Sequence, residues 1–207
     1  MDKQFESLLE ESVRLHGHLC AGQVLGVRMS LLGLREIGIS DPKGADRKQI
    51  IVVVEMDRCA TDAVQSVTGC SLGKRTMKFK DYGKMAATFI NLGTGKAVRV
   101  LAREDSRIRA KERFPEHENK YAGQLQAYRG LSDRELFDVM EVAVHIAPED
   151  MPGRPLSRIA CSGCGEQVQD GREVYLSGSA CCRTCAGEGY YMVISSDPAA
   201  VRYAKKT

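Results

Sequence analysis

The sequence lacks the features that mark membrane-spanning, secreted and strongly basic proteins. Its longest apolar stretch, Val24 to Leu34, is interrupted by Gly26, Arg28 and other residues and falls short of the roughly 18 apolar residues that a membrane span requires. The amino terminus is acidic and amphipathic, without a basic region or a cleavage-type run of small residues. We therefore expect no signal peptide and a cytoplasmic location.

Charge of one sign is also scarce, since the net charge is +3 over 207 residues. Surfaces that bind a phosphate backbone carry clustered lysine and arginine. The near balance of charge therefore weakens a nucleic-acid-binding role without removing it from consideration.

Cysteine is absent between Cys70 and Cys161, so the eight cysteines form two groups. A reducing cytoplasm argues against interpreting them as a disulfide framework. The uneven distribution indicates two separate metal or thiol sites. The first group is Cys20, Cys59 and Cys70, and the second is Cys161, Cys164, Cys181, Cys182 and Cys185.

Hydrophobic periodicity and turn residues predict an α+β fold, with an antiparallel meander sheet packed against helices. Between residues 139 and 146 the pattern fits a helix or a strand, and the alternation of valines favours the strand. A capping box at Ser132–Glu135 predicts a short helix from Asp133. The other predicted helices are 3–16, 21–37, 61–68, 105–114 and 119–128, and the other strands are 50–56, 76–80, 85–91 and 97–102.

A proline-rich segment divides the chain into two predicted domains. Residues 148–155 contain three prolines, a composition typical of a linker. The prediction is a core domain at residues 1–150 and a small C-terminal domain at residues 151–207, which resembles a zinc ribbon or treble clef.

The C-terminal domain carries two CxxC pairs, Cys161/Cys164 and Cys182/Cys185. Each pair can direct two thiolates from one tight turn, and two turns complete a tetrahedral site. We therefore predict a structural Zn²⁺ bound by these four cysteines. An iron–sulfur cluster or a redox dithiol would tolerate similar cysteines, but the regular double spacing favours zinc. Cys181 could replace Cys182 as a ligand, although Cys182 keeps the symmetrical spacing.

Near the amino terminus, His16, His18 and Cys20 lie within five residues, where one predicted helix ends and the next begins. A helix start stabilises thiolate, the form of cysteine that binds metals and attacks electrophiles. Imidazole and thiolate together suit zinc, nickel, copper or iron. The plainer interpretation is a capping histidine beside a buried, inert cysteine.

A second candidate segment follows the predicted strand 50–56. It contains Cys59, with Asp62 and Gln65 able to orient a ligand. If the helix that starts after Cys20 packs on this sheet, Cys20 and Cys59 can meet at one rim. We predict that His18, or alternatively His16, joins them in a pocket for a second metal ion. Cys70 is a weaker fourth candidate, since residues 68–74 also fit a helix end and turn.

Two motifs, HGHLCAGQVLGVRM at 16–29 and CATDAVQSVTGCSLGKRTMKFKDYGKMAATF at 59–89, resemble the FmdE family, which takes its name from formylmethanofuran dehydrogenase. That family has proline where this chain has Ala21. The resemblance covers roughly residues 5–147, and some members carry a C-terminal zinc finger that residues 161–185 would match.

The resemblance implies an α+β core, a homodimer and a metal-binding pocket built from His16 or His18, Cys20 and Cys59. Small residues at Gly22, Gly26 and Ser30 could form the dimer contact or pack within the chain. The functional prediction is a metal-binding accessory, sensor or regulatory protein with zinc or nickel in the core and a zinc finger for a protein partner. The alternatives are a metal- or thiol-dependent enzyme of one-carbon metabolism and a nucleic-acid-binding regulator.

Overall fold

The computed structural model describes residues 3–113, 120–192 and 194 of the chain. The ends of two predicted helices, Phe114 and Asn119, lie outside these ranges. The chain divides into two compact units, residues 1–145 and residues 146–207. The predicted domain boundary at residue 150 stays a prediction. Within the described ranges, no helix is long and apolar enough to cross a membrane.

Two long helices open the first unit, with the bounds that the sequence predicts. The amphipathic α1 spans Lys3–His16 and the largely buried α2 spans Ala21–Ile37. Gly38 ends α2 in the left-handed conformation, at φ 72°, and its N–H donates to the Arg35 carbonyl. Glycine adopts this conformation without steric cost, which explains its place at the helix end.

The remaining elements of the first unit follow the predicted pattern, except that the strand favoured for residues 139–146 lies at Phe137–Glu141. The helix α3 begins two residues earlier than predicted, so that Cys59 lies in its first turn. The predicted capping box is confirmed, with the Ser132 N–H donating to Glu135 over 2.7 Å. The elements are β1 (Ile50–Val54), α3 (Cys59–Thr68), β2 (Met77–Phe79), β3 (Ala86–Asn91), β4 (Ala97–Ala102), α4 (Ser106–Arg113), α5 (Lys120–Gly130), α6 (Asp133–Leu136) and β5 (Phe137–Glu141).

The sheet of the first unit has the strand order β2-β1-β3-β4-β5. The predicted α+β class is confirmed, and an antiparallel meander is present, but it consists of β3, β4 and β5 and does not include the predicted strand 76–80. One pairing differs from the prediction, because β2 runs parallel to β1, with Val52 opposite Met77. The crossover through α3 returns the chain to the starting end of β1. β2 and β3 are consecutive in sequence but do not form a hairpin, since β1 lies between them in the sheet.

Glycines on α2 allow α3 to pack at very close range. A Cβ atom on Gly26 would lie 2.6 Å from the Ala63 Cβ, and one on Gly22 would lie 2.8 Å from the Cys59 Cβ. The helix face that carries Gly22 and Gly26 therefore packs within the chain, which was the alternative to a dimer contact. A homodimer stays a prediction that rests on the family resemblance, because this face no longer supports it.

The described part of the second unit contains a 3₁₀ helix at Pro148–Asp150, two small hairpins and a short π-helical turn. Its strands are β6 (Arg158–Ala160), β7 (Gln167–Gln169), β8 (Val174–Leu176) and β9 (Ser179–Cys181), and the turn is Thr184–Glu188. Ser177 and Gly178 both have positive φ, the requirement of a two-residue type I′ hairpin loop. Among the described residues of this unit, the buried apolar side chains are Cys161 and Cys181. Such a small core indicates that something else must stabilise this unit.

Candidate metal centres

The two CxxC pairs of the second unit converge on one point. The thiol sulfurs of Cys161, Cys164, Cys182 and Cys185 all lie within 4.8 Å of one another. Cys161 follows β6 and Cys182 follows β9, so the ends of the two hairpins bring the pairs together. Four sulfurs at this spacing match the donor set of a tetrahedral zinc site.

Backbone N–H groups surround the sulfurs of this cluster. The Cys182 N–H donates to the Cys161 sulfur over 3.1 Å, and the Gly163 N–H donates to the same atom over 3.3 Å. Burial opposes ionisation of Cys161, but hydrogen bonds from the backbone of Cys182, Cys164 and Gly163 outweigh it and lower the pKa to about 6. Burial and the surrounding thiols raise the pKa of Cys185. The backbone is therefore arranged for thiolate, while a cation is needed to hold all four together.

Cys181 lies beside this cluster and outside it. Its sulfur is 3.4 Å from the Ser162 hydroxyl, and it does not belong to the set of converging sulfurs. Of the two adjacent candidates for the metal ligand, the geometry therefore favours Cys182, as the symmetrical spacing does.

In the first unit, His16 ends α1 and points into the junction of three helices. Its Nδ1 lies 2.7 Å from the Oδ2 of Asp62, in the first turn of α3. The opposite nitrogen, Nε2, is buried and has no hydrogen-bond partner among the residues that the structure describes. With the Nδ1 proton donated to the carboxylate, Nε2 carries the free lone pair, the arrangement typical of a metal-binding histidine.

His18 and Cys20 complete a cluster with His16. One ligand atom from each of the three lies within 4.8 Å of the others, and the two imidazole centroids are 4.6 Å apart. His18 is exposed, whereas His16 and Cys20 are half-buried. The core cluster, defined as His16, His18 and Cys20, therefore has one side open to solvent.

Cys59 lies against the core cluster without belonging to the converging set. Burial, and a hydrogen bond that the protonated Cys59 thiol donates to the Cys20 sulfur, raise the pKa of Cys59. The two cysteines, 39 positions apart in the sequence, therefore lie close together, and a metal pocket that includes both stays a prediction. Binding of an ion by any of these residues stays a prediction.

Gln23 holds the three helices in register around the core cluster. It is fully buried on α2, its side-chain NH₂ donates to the Cys59 carbonyl over 2.5 Å, and its oxygen accepts from the Ser12 hydroxyl on α1. A buried amide with partners on both neighbouring helices fixes their positions. Sequence reasoning missed Gln23, because nothing in its local pattern identifies a residue that bridges two other helices.

Cys70 does not reach the core cluster. It follows the end of α3, whereas Cys59 begins that helix, and a ten-residue helix is about 15 Å long. Burial raises the pKa of Cys70, which is typical of an inert core thiol. The plainer interpretation of residues 68–74 is therefore correct, with Gly69 ending the helix and the Lys74 ammonium donating to its carbonyl over 3.0 Å.

The core cluster and Cys59 fall within a segment that matches a known family. The sequence profile described as "FmdE, Molybdenum formylmethanofuran dehydrogenase operon" matches residues 15–143. The chain belongs to the FmdE family. The matched segment ends before the four-cysteine cluster, so the second unit lies outside the match.

One curated relative of this FmdE-family chain comes from Archaeoglobus fulgidus and is named a probable S-adenosyl-L-methionine-binding protein. It is 36% identical over 100 residues, which cover 48% of this chain and 27% of the relative. The chain therefore spans about a quarter of that protein's length, and the relative's ligand does not transfer with the match.

A solved structure extends the likeness over most of the chain. An FmdE-like protein from Syntrophus aciditrophicus, named for tungsten formylmethanofuran dehydrogenase, aligns with a TM-score of 0.61, at 19% identity. The alignment covers 91% of this chain and 95% of that one. At this identity the match establishes the FmdE-like fold and carries no statement about activity.

Proposed function

We propose that this FmdE-family protein binds a transition-metal ion in the core cluster, with Cys59 beside the bound ion. The main support is the buried Nε2 of His16, which has no partner in the described part of the chain, while Asp62 accepts a hydrogen bond from Nδ1. A buried acceptor without a partner loses its hydration at a cost in free energy, and a metal ion would restore a ligand to it. Two imidazoles and a thiolate suit zinc or nickel.

The residues of the cluster and those around it have different roles in binding the ion. His16 and Cys20 bind from the protein side, Asp62 orients His16, and the exposed His18 closes the site only in part. Three protein ligands with an accessible fourth position are typical of a working rather than a structural metal site. When bound, the ion would supply Lewis acidity at that open position.

The second unit adds a structural zinc site and a surface for a protein partner. Large apolar side chains are exposed there, with Tyr175 at 63%, Tyr190 at 95% and Ile194 at 97% exposure. Exposed apolar groups of this size favour contact with another protein. Together with the open core cluster they support an accessory or sensor role, and we extend the proposal to a homodimer on the family resemblance.

Metal analysis of the full chain tests the proposal. We expect two equivalents of metal per chain, one bound by the four C-terminal cysteines and one by the core cluster. His18→Ala and Cys20→Ser should each lower the content to one equivalent. His145→Ala is the matched control, because His145 is an exposed histidine of the first unit outside the cluster. A Cys20→Ser protein that keeps both equivalents would contradict the core site.

A further inference from the structure

A cavity of about 330 Å³ lies where α2, α4 and α5 meet, directly after the core cluster in the sequence. It begins at Ala21 and Gly22, the two residues that follow Cys20. Its volume is in the range of small-molecule sites. The apolar part of its wall consists of Leu25, Met85 and Ala102.

Tyr128 gives this cavity a buried phenol group. The residue is 3% exposed and lines the cavity together with Gln124. The phenol oxygen accepts a hydrogen bond from the Gln124 amide over 3.3 Å. Because a phenol O–H donates as well as accepts, it can also donate to a ligand that supplies an acceptor.

The cavity is lined by two arginines and one glutamate, so basic groups outnumber acidic ones. Arg107, on α4, is 63% exposed, and its ion-pair partner Glu104, which also lines the cavity, is 84% exposed at 3.4 Å. Exposed pairs of this kind contribute little, so the Arg107 guanidinium remains able to bind a ligand. Arg103, by contrast, is held by Asp105 and Asp138.

The amino-terminal end of α2 adds to the preference of the cavity for an anion, but it would not be sufficient by itself. Its first turn contains no acidic residue, and Cys20 makes no side-chain cap hydrogen bond to the first N–H groups. Uncapped N–H groups at a helix start attract negative charge.

We propose that this cavity binds a small organic carboxylate. The carboxylate oxygens accept from Tyr128 and Arg107, and the short alkyl part packs on Leu25 and Met85. One guanidinium and one phenol match a single carboxylate group. The proposal goes beyond metal binding, because the groups that hold the carboxylate are distinct from the residues of the core cluster.

Titration of the ¹⁵N-labelled full chain with hexanoate, followed by amide NMR, tests the proposal. We expect saturable shifts at the Ala21, Gly22 and Arg107 amides. Arg107→Gln and Tyr128→Phe should each weaken hexanoate binding about tenfold or more. Arg109→Gln, a matched change on the same helix outside the cavity, should leave it unchanged.

Neutral hexanamide and inorganic phosphate complete the experiment. Both should bind at least about tenfold more weakly than hexanoate, since hexanamide lacks the charge and phosphate lacks the alkyl part. Equal binding of either compound, an equal loss in Arg109→Gln, or the absence of saturable shifts with hexanoate would overturn the proposal. Unchanged hexanoate binding in His18→Ala would support the carboxylate site even if the proposed metal site of the core cluster is wrong.

Discussion

The two cysteine-containing clusters of this protein use similar ligands in opposite surroundings. In the second unit, four sulfurs converge, and the first of them, Cys161, accepts backbone hydrogen bonds. In the first unit, His16 is held by Asp62, while His18 of the same cluster is exposed. A closed set of four protein ligands stabilises a fold, whereas an open set leaves a position for another molecule. The difference lies in the supporting structure more than in the ligand types.

The surroundings also differ in how much of the folding free energy an ion must supply. The first unit buries a continuous apolar core that includes Phe89, Met29 and Leu136. The described part of the second unit buries almost no apolar side chain beyond two cysteines. We therefore expect an ion to be necessary for the fold only in the second unit.

Cys164→Ser should have the largest effect, because it removes one of four ligands from a unit that depends on them. Structural zinc in small modules contributes on the order of 10 kcal/mol. We expect loss of one metal equivalent and collapse of amide NMR dispersion for residues 158–185, with the resonances of the first unit unchanged. Zinc content and NMR spectra measure both effects.

Cys181→Ser is the matched control for that experiment. It removes a neighbouring thiol that contacts Ser162 and does not converge with the other four. The zinc content and the spectrum should stay as in the unsubstituted protein. Equal damage from the two substitutions would mean that the four-sulfur assignment is wrong.

Gly26→Ala should destabilise the first unit and weaken its metal site together. The new Cβ would lie 2.6 Å from the Ala63 Cβ and 2.7 Å from the Ala60 carbonyl oxygen, so α2 and α3 must separate. Overpacking of this kind costs about 1–3 kcal/mol, measurable by urea denaturation. Cys20 and Cys59 would move apart with the helices.

Gly130→Ala provides the control for the helix propensity of alanine. Nothing lies within 4 Å of a Cβ at that position of α5, so we expect no loss of stability and a gain of up to about 1 kcal/mol. If Gly26→Ala behaves like Gly130→Ala, the close packing of α2 on α3 cannot be what brings the two cysteines together.

Asp62→Asn should weaken metal binding in the first unit alone. The amide keeps the size of the side chain but loses the charge that orients His16 and makes its Nε2 a stronger ligand. Loss of such an orienting group typically costs about 10–100-fold in affinity. Competition with a coloured chelator measures the change.

Asp57→Asn tests whether the effect of Asp62→Asn comes from charge alone. Asp57 is 75% exposed and contacts Arg58 at 3.8 Å, so its change should leave the affinity unaltered. A similar loss in both variants would argue against the hydrogen bond between Asp62 and His16 as the cause. Zinc in the second unit serves as an internal reference in both proteins.

Local sequence patterns could predict the helices, most strands and the four-cysteine cluster. The bounds of α1 and α2 follow from hydrophobic spacing and from Gly38, which all lie within one stretch of chain. The CxxC pairs are equally local. Each of these features depends on residues a few positions apart, so periodicity and spacing contain the necessary information.

The features that the sequence did not predict depend on contacts between residues far apart in the chain. The parallel pairing of β2 with β1 requires knowledge of where α3 leads the chain, and strand propensity does not contain it. Spacing identifies both His16 and His18 as candidates, but the contact with Asp62, 46 positions from His16, holds His16 as the less exposed of the two. The bridging role of Gln23 could not be predicted for the same reason, because its partner Cys59 lies 36 positions away.

The smallest expected effect concerns the pH dependence of the first unit. Glu55, at the end of β1, is 6% exposed and binds Arg99 of β4 through two hydrogen bonds of 2.6 and 2.7 Å. The hydrogen bonds from Arg99 lower the pKa of Glu55 despite its burial. The unfolded chain therefore takes up the proton first as the pH falls, and the stabilisation present above about pH 4.5 is lost as the pH falls through the folded pKa.

Glu55→Gln removes that titration and should flatten the acid side of the stability curve. One proton changes the free energy of unfolding by at most about 1.4 kcal/mol per pH unit, so urea denaturation must be measured at several values between about pH 3 and 6. Glu10→Gln, at an exposed position of α1, should keep the slope of the unsubstituted protein. Because Glu55 belongs to the first unit, the change should appear in resonances of that unit and leave the acid response of the four-cysteine unit as it was. A shifted acid response in the second unit would mean that the two regions do not unfold independently, which would remove the basis for treating one ion as structural and the other as working.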